Sequence, residues 1–182
     1  MTSDIKKKKL MFLFKIFFDR DGSGSITKED FEQSIEKLAK AKGWEPGDEK
    51  YKVAEKTLLE IWEGMLYKAD ANKDGEISAD EWVKLWEESS KDSPFDWQAY
   101  YCKSIFRLQD STNDGAIDKE EFVSVHKSFG LPEDQTSEAF DKLACGKEKI
   151  TWEDFQQRWE EFFSSEDLDA PGNYIFGHLT FD

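Results

Sequence analysis

The sequence predicts an all-α fold: four helix–loop–helix units in two packed pairs, a compact globular body and a short C-terminal tail. Three observations carry that expectation. A phrase recurs four times, as ITKEDF at 26–31, ISADEW at 77–82, IDKEEF at 117–122 and ITWEDF at 150–155. Ahead of the first three lie DRDGSGS, DANKDGE and DSTNDGA, which begin at Asp19, Asp70 and Asp110 and complete 12-residue acidic loops with Gly24, Gly75 and Gly115 at position 6. Helical apolar spacing flanks every loop, leaving almost no sheet.

Taken in order, an apolar stretch at 10–18 enters the first loop, and Phe31, Ile35 and Leu38 leave it on one helix face. Val53, Leu58, Ile61, Trp62 and Leu66 predict a long helix into the second loop, and Trp82, Leu85 and Trp86 one out of it. Ile105 and Phe106 enter the third loop; Phe122, Val123 and Val125 follow it. Phe140 and Leu143 precede the fourth segment, and Phe155, Trp159 and Phe162 follow. Breaks are expected at Gly43 to Gly47 with Pro46, at Ser89 to Pro94 and at Gly130 to Pro132. The expected division is an N-terminal pair over 1–90, a C-terminal pair over 91–165 and a tail over 166–182 that packs on the body.

Composition narrows the function classes. With 25 Lys and Arg against 40 Asp and Glu, the 182-residue chain has a net charge of -15, which argues against nucleic-acid binding. An aromatic content of 15% argues against a disordered acidic tail. The first 20 residues are net positive and the remainder more acidic still. Lys15 interrupts the early apolar run and no cleavage site follows, so neither a signal peptide nor a membrane span is expected. Two cysteines are too few for a disulfide scaffold, so a reduced, cytoplasmic setting is expected, with Cys102 and Cys145 as inert thiols.

Each loop can be tested position by position. A hard cation such as Ca²⁺ takes six to eight oxygens, supplied in the EF-hand pattern from loop positions 1, 3, 5, 7, 9 and 12, with a turn glycine at 6. The second loop, 70–81, meets the whole pattern with Asp70, Asn72, Asp74, the carbonyl of Glu76, and Glu81. The third, 110–121, offers Asp110, Thr112, Asp114, the carbonyl of Ala116, and Glu121, with a neutral hydroxyl at position 3. Asp118 adds a fourth carboxylate there. The first, 19–30, offers Asp19, Asp21, Ser23, the carbonyl of Ser25, and Asp30. Asp30 is one methylene shorter than Glu, so the first loop should discriminate less against Mg²⁺. The fourth frame, 143–154, places Leu143, Cys145 and Lys147 where oxygens belong and Glu148 where the glycine belongs; it should bind nothing. Three Ca²⁺ sites are expected, with Mg²⁺ competing most at the first loop. The position-8 isoleucines, Ile26, Ile77, Ile117 and Ile150, are expected to pair between neighbouring loops in short antiparallel bridges.

These motifs resemble the invertebrate sarcoplasmic calcium-binding proteins and the similar calexcitins. The likeness rests on four EF-hand units with an unmatched fourth, Asp30 ending the first loop, a long helix into the second, and GNYIFGHL at 172–179. It implies two packed EF-hand pairs and Ca²⁺ buffering in sarcoplasm or, for calexcitins, signalling in neuronal cytosol. A monomer is expected, with a protein target possible but not required.

Other readings are weaker. The loop carboxylates are consumed as ligands and two isolated histidines build no nucleophile–base pair, so no enzyme is expected. The Phe and Trp side chains, and His126 four residues after Phe122, are expected to be core. His178 by itself makes no site, and Lys6 to Lys9 are expected to be a solvated helix start. A luciferin-binding or photoprotein relative is a weaker reading: the Ca²⁺-triggered photoproteins use the fourth loop and end in Pro, whereas here that loop lacks the ligand set and the sequence closes on Phe181–Asp182. A sensor opens a Met-rich groove, and three methionines with many bulky aromatics lean toward a buffer.

Overall fold

The computed structural model describes residues 3–88 and 97–181. Among them are eight α-helices and two two-stranded antiparallel bridges. The chain divides into two units, residues 1–101 and 102–182. The break expected at Ser89 to Pro94 lies outside the described residues.

In the first unit, α1 (Asp4–Leu13) starts on the Ser3 side chain and continues into a π-helical turn, Phe14–Phe18. Strand β1 (Ser25–Ile26) leads into α2 (Lys28–Lys42), which ends where Gly43 takes the left-handed conformation (φ 69°). Without a Cβ, glycine adopts that φ freely and lets the helix stop. Helix α3 (Glu49–Ala69) is the long helix expected before the second loop. Strand β2 (Ile77–Ser78) and α4 (Ala79–Glu88) complete the pair.

The core of this unit is aromatic. The Phe18 ring lies 4.8 Å from that of Trp82 and 5.9 Å from Phe31, and Phe31 lies 5.6 Å from Trp62. Trp82 is fully buried and its indole N–H donates to the Leu10 carbonyl at 2.8 Å, so this large fully buried side chain leaves no polar group unpaired. Two sequence expectations need correction. Lys9 is buried rather than solvated, because it falls on the face of α1 that also carries Leu10 and Leu13. Val53 is 54% exposed; the buried stripe of α3 runs instead through Ala54, Leu58, Ile61, Trp62 and Met65.

The second unit holds strands β3 (Ala116–Asp118) and β4 (Lys149–Thr151) and helices α6 (Lys119–Ser128), α7 (Glu133–Ala144) and α8 (Trp152–Ser164). Helix α5 (Trp97–Gln109) carries the boundary between the units. Phe106 packs on Phe155 and Trp152, and Phe122 on Phe140. The C-terminal segment folds back within this unit through a 3-10 turn, Pro171–Tyr174. Phe176 lies 4.9 Å from Phe162 and 5.5 Å from Trp159, and the Gly172 N–H donates to Glu161 at 2.6 Å. A Cβ on Gly177 would meet the His126 ring at 2.7 Å, so only glycine permits this approach. His126 is core, as expected: its ring lies 4.2 Å from Phe122 and burial lowers its pKa to about 4.

Candidate metal centres

Short bridges set the loops in register. Ile26 pairs with Ile77 and Ile117 with Ile150, all four fully buried, as the repeat of apolar β-branched residues implied. Each bridge anchors position 8 of two loops, which leaves positions 1 to 7 to turn back on themselves.

Three loops share one hydrogen-bond skeleton. The position-1 aspartate accepts from the backbone N–H groups at positions 5 and 6. In the first loop Asp19 accepts from Ser23 and Gly24, both at 2.9 Å. In the second Asp70 accepts from Asp74 at 3.1 Å and Gly75 at 2.9 Å. In the third Asp110 accepts from Asp114 at 3.1 Å and Gly115 at 3.0 Å. The position-12 carboxylate closes the loop by accepting from its start and from position 9. Glu81 spans Ala71 (3.1 Å) and Ser78 (3.0 Å), and Glu121 spans Thr112 (2.9 Å) and Asp118 (3.1 Å). The same carboxylates cap the following helices, the Ser78–Glu81 pair in the capping-box spacing.

Backbone sterics explain the sequence at the turn. Position 6 is left-handed in each of these loops, at Gly24, Gly75 and Gly115. Position 4 is left-handed too, held by Gly22, Lys73 and Asn113, a requirement that the ligand pattern does not reveal.

The first loop is drawn tightest. Asp30 accepts from Arg20 at 2.8 Å, Asp21 at 3.2 Å and Thr27 at 2.7 Å, the same span that a glutamate covers in the other two. Asp19, Asp21 and Asp30 each bring one oxygen within 4.8 Å of the others, the one such set of carboxylates among the described residues. Asp19 and Asp30 are buried while Asp21 faces solvent. Ser23 is aimed inward, within 3.4 Å of Asp19 and 3.0 Å of the Ser25 carbonyl.

In the second loop, Asn72 accepts from Asp74 N–H at 2.8 Å and Asp74 from Glu76 N–H at 3.0 Å. In the third, the Thr112 hydroxyl donates to Glu121 at 2.9 Å, so the neutral position-3 donor points into the loop. Asp114 accepts from Ala116 N–H at 3.0 Å, and Asp118 caps α6 by accepting from Glu121 N–H at 2.8 Å.

Several carboxylates are held ionised. Asp21 sits below the usual carboxylate range, chiefly through the Ser23 hydroxyl and N–H. Burial pushes Glu81 and Glu121 up, but the N–H and O–H donors around each outweigh it and their pKa values fall.

The fourth frame is built differently. Leu143 is buried inside α7, which runs on to Ala144, and Cys145 and Gly146 take the left-handed conformation where the other loops have positions 3 and 4. Lys147, at position 5, pairs with Asp154 at 2.6 Å, so an ammonium already neutralises the loop-closing carboxylate.

The donor sets of the first three loops therefore fit a hard divalent cation. Their oxygens are carboxylate, amide, hydroxyl and carbonyl; Asp21, Glu81, Asp114 and Glu121 are held ionised, and Asp19, Asp21 and Asp30 are drawn together. The fourth set does not fit.

The helix–loop–helix pairs with bridged loops define the class of protein. Residues 7–87 match the model of the EF-hand domain pair and residues 103–126 that of the EF hand. These two stretches of the chain are similar to EF-hand domains. Over nearly its whole length the chain is similar to calexcitin and to sarcoplasmic calcium-binding proteins. It is 29% identical to Calexcitin-1 of Caenorhabditis elegans over 179 residues, covering 96% of this chain and 87% of the relative. It is 29% identical over 183 residues to sarcoplasmic calcium-binding proteins I, III and IV of Branchiostoma lanceolatum, covering 96% and 97%. The fold matches the solved structure of an amphioxus sarcoplasmic calcium-binding protein with a TM-score of 0.77 at 24% identity, over 98% of this chain and 99% of that one.

Proposed function

We propose that this chain is a cytoplasmic Ca²⁺ and Mg²⁺ buffer that takes up three Ca²⁺ ions, through loops 19–30, 70–81 and 110–121. The observation that carries the reading is the hydrogen-bond skeleton common to those loops, which pre-folds each around its oxygen donors. The cation supplies a double positive charge, and the chain's residues supply the rest. Asp19, Asp21, Ser23, the Ser25 carbonyl and Asp30 would hold the first ion. Asp70, Asn72, Asp74, the Glu76 carbonyl and Glu81 would hold the second. Asp110, Thr112, Asp114, the Ala116 carbonyl and Glu121 would hold the third.

The close set of carboxylates in the first loop, with Asp30 in place of Glu, favours the smaller Mg²⁺ there relative to the other two. A buffer rather than a sensor is supported by the second unit, where Ile175 is buried and Phe176 covers Trp159 and Phe162 on α8, apolar surface that a target helix would need. The relatives named sarcoplasmic calcium-binding proteins fit the same role. Among the described residues no helix is long and apolar enough to cross a membrane.

Isothermal titration tests the stoichiometry. Wild type should bind three Ca²⁺ and Glu81→Gln two, the remaining affinities being unchanged. A fourth ion, or only two in wild type, overturns the assignment. A hydrophobic dye separates the roles: fluorescence that falls on Ca²⁺ addition supports the buffer. A rise with Ca²⁺ but not Mg²⁺ would establish the alternative, a calexcitin-like sensor that exposes a target groove.

A further inference from the structure

The antiparallel bridge between β3 and β4 places Lys149 directly across from Asp118 of the third loop. Its ammonium crosses to Asp114, at position 5, and forms an ion pair with the carboxylate oxygen Oδ2. The other acidic side chains around it are committed elsewhere. Asp110 and Glu121 accept backbone N–H groups of the loop with both oxygens, Asp118 caps α6, and Asp114 Oδ1 accepts from Ala116. Lys149 therefore takes up the Asp114 oxygen that the loop's own backbone leaves over. Asp118 and Glu121 also act on the ammonium through their charge.

Among the described residues of the first unit, no lysine holds the equivalent position. The residues that occupy the position of Lys149, the seventh of each partner loop, are Ser25 and Glu76 there. Lys149 is 47% exposed and Asp114 39%, so the pair can open without unpacking the core.

We propose that Lys149 is a tethered cation that sets the affinity of the third loop: it holds Asp114 until a divalent ion displaces it, and so keeps this site weaker than its donor set alone would make it. The proposal rests on the reading of loop 110–121 as a Ca²⁺ site. Displacement frees an ammonium to solvent and exchanges one charge for two at the same carboxylate. An exposed ion pair and one nearby like charge together shift binding by roughly three- to tenfold. Lys147 supplies an internal control, because it carries the same charge but pairs with Asp154 inside the fourth loop.

The test is Ca²⁺ titration followed both by calorimetry and by the Gly115 amide resonance, which reports the third loop alone. Lys149→Met and Lys149→Gln should tighten the event seen at Gly115 by about three- to tenfold and leave the other two in place. Lys149→Arg should retain the wild-type affinity, and Lys147→Met should not tighten the third site. Unchanged affinity at Gly115 in both neutral variants overturns the proposal. So does equal tightening by Lys147→Met, which would make net charge the cause. If the Gly115 resonance ignores Ca²⁺ in every protein, the third-loop assignment itself fails, a result distinct from a responsive site with unaltered affinity.

Discussion

His126 shows how one buried side chain makes stability depend on pH. It lies under Gly177, against Phe122, with Nδ1 2.7 Å from the Phe122 carbonyl oxygen. Its folded pKa is about 4 against an ordinary 6.5, because burial penalises the imidazolium. The unfolded chain binds a proton once pH falls below 6.5, whereas the folded chain does so only near 4. Stability is therefore complete above 6.5 and is lost as pH falls toward 4, by about 3 kcal/mol in total. Thermal unfolding of ion-free protein from pH 7 to 4.5 should show this slope, and His126→Leu should flatten it. Asp30 is the other residue whose environment decides its role. It is 1% exposed and already reaches both ends of its loop, so Asp30→Glu adds a methylene that lets the loop relax outward. Mg²⁺-competition calorimetry should then find the first site more selective for Ca²⁺, by roughly the tenfold that 1.4 kcal/mol represents.

Among the elements, the bridges have more influence than their two or three residues suggest. A two-stranded ribbon is marginal in isolation, yet each bridge carries a pair of isoleucines into the core and couples two loops. The fourth unit keeps Ile150 and the capping box of Thr151 with Asp154 although its loop departs from the ligand pattern at positions 1, 3 and 5. That pattern is what a structural partner requires. Ile150→Ala should cost about 2–4 kcal/mol by leaving a cavity at a site that is 1% exposed. It should also weaken Ca²⁺ binding at the third loop, though no ligand is touched. Calorimetry on the folded variant checks the coupling: an unaltered third site with a lowered melting temperature would show that the bridge stabilises without setting the loop.

At the scale of the whole chain, charge links ion uptake to folding. The net charge of -15 is concentrated where acidic side chains crowd inside loops, and three Ca²⁺ would change it to -9. Binding to the folded form alone adds stability, about 4 kcal/mol per site at a thousandfold excess over the dissociation constant. Calorimetric melting should rise steeply with Ca²⁺ and less with Mg²⁺. Sodium chloride should also raise the ion-free transition by screening the loops. A melting temperature insensitive to Ca²⁺ would contradict the binding assignment at all three loops.

The helices, the loops and their mutual register were legible in the residues themselves, because each depends on local spacing. Apolar side chains three and four apart specify a helix face, a glycine at position 6 permits the turn, and an isoleucine at position 8 marks the bridge. The departure of the fourth loop from the ligand pattern was legible for the same reason, from Lys147 and Glu148. Other features came only from contacts between distant residues. The sequence places Lys9 in a basic run, and only the packing of α1 buries it beside Leu10. Lys149 and Asp114 are 35 residues apart, and their ion pair exists because β3 and β4 lie side by side. The tail was expected to pack on the body, but its partners came only with folding, which sets Phe176 against Trp159 and Phe162 and Gly177 on His126. Periodicity reports which face of a helix is apolar; which partner covers that face is decided by the three-dimensional arrangement of the elements.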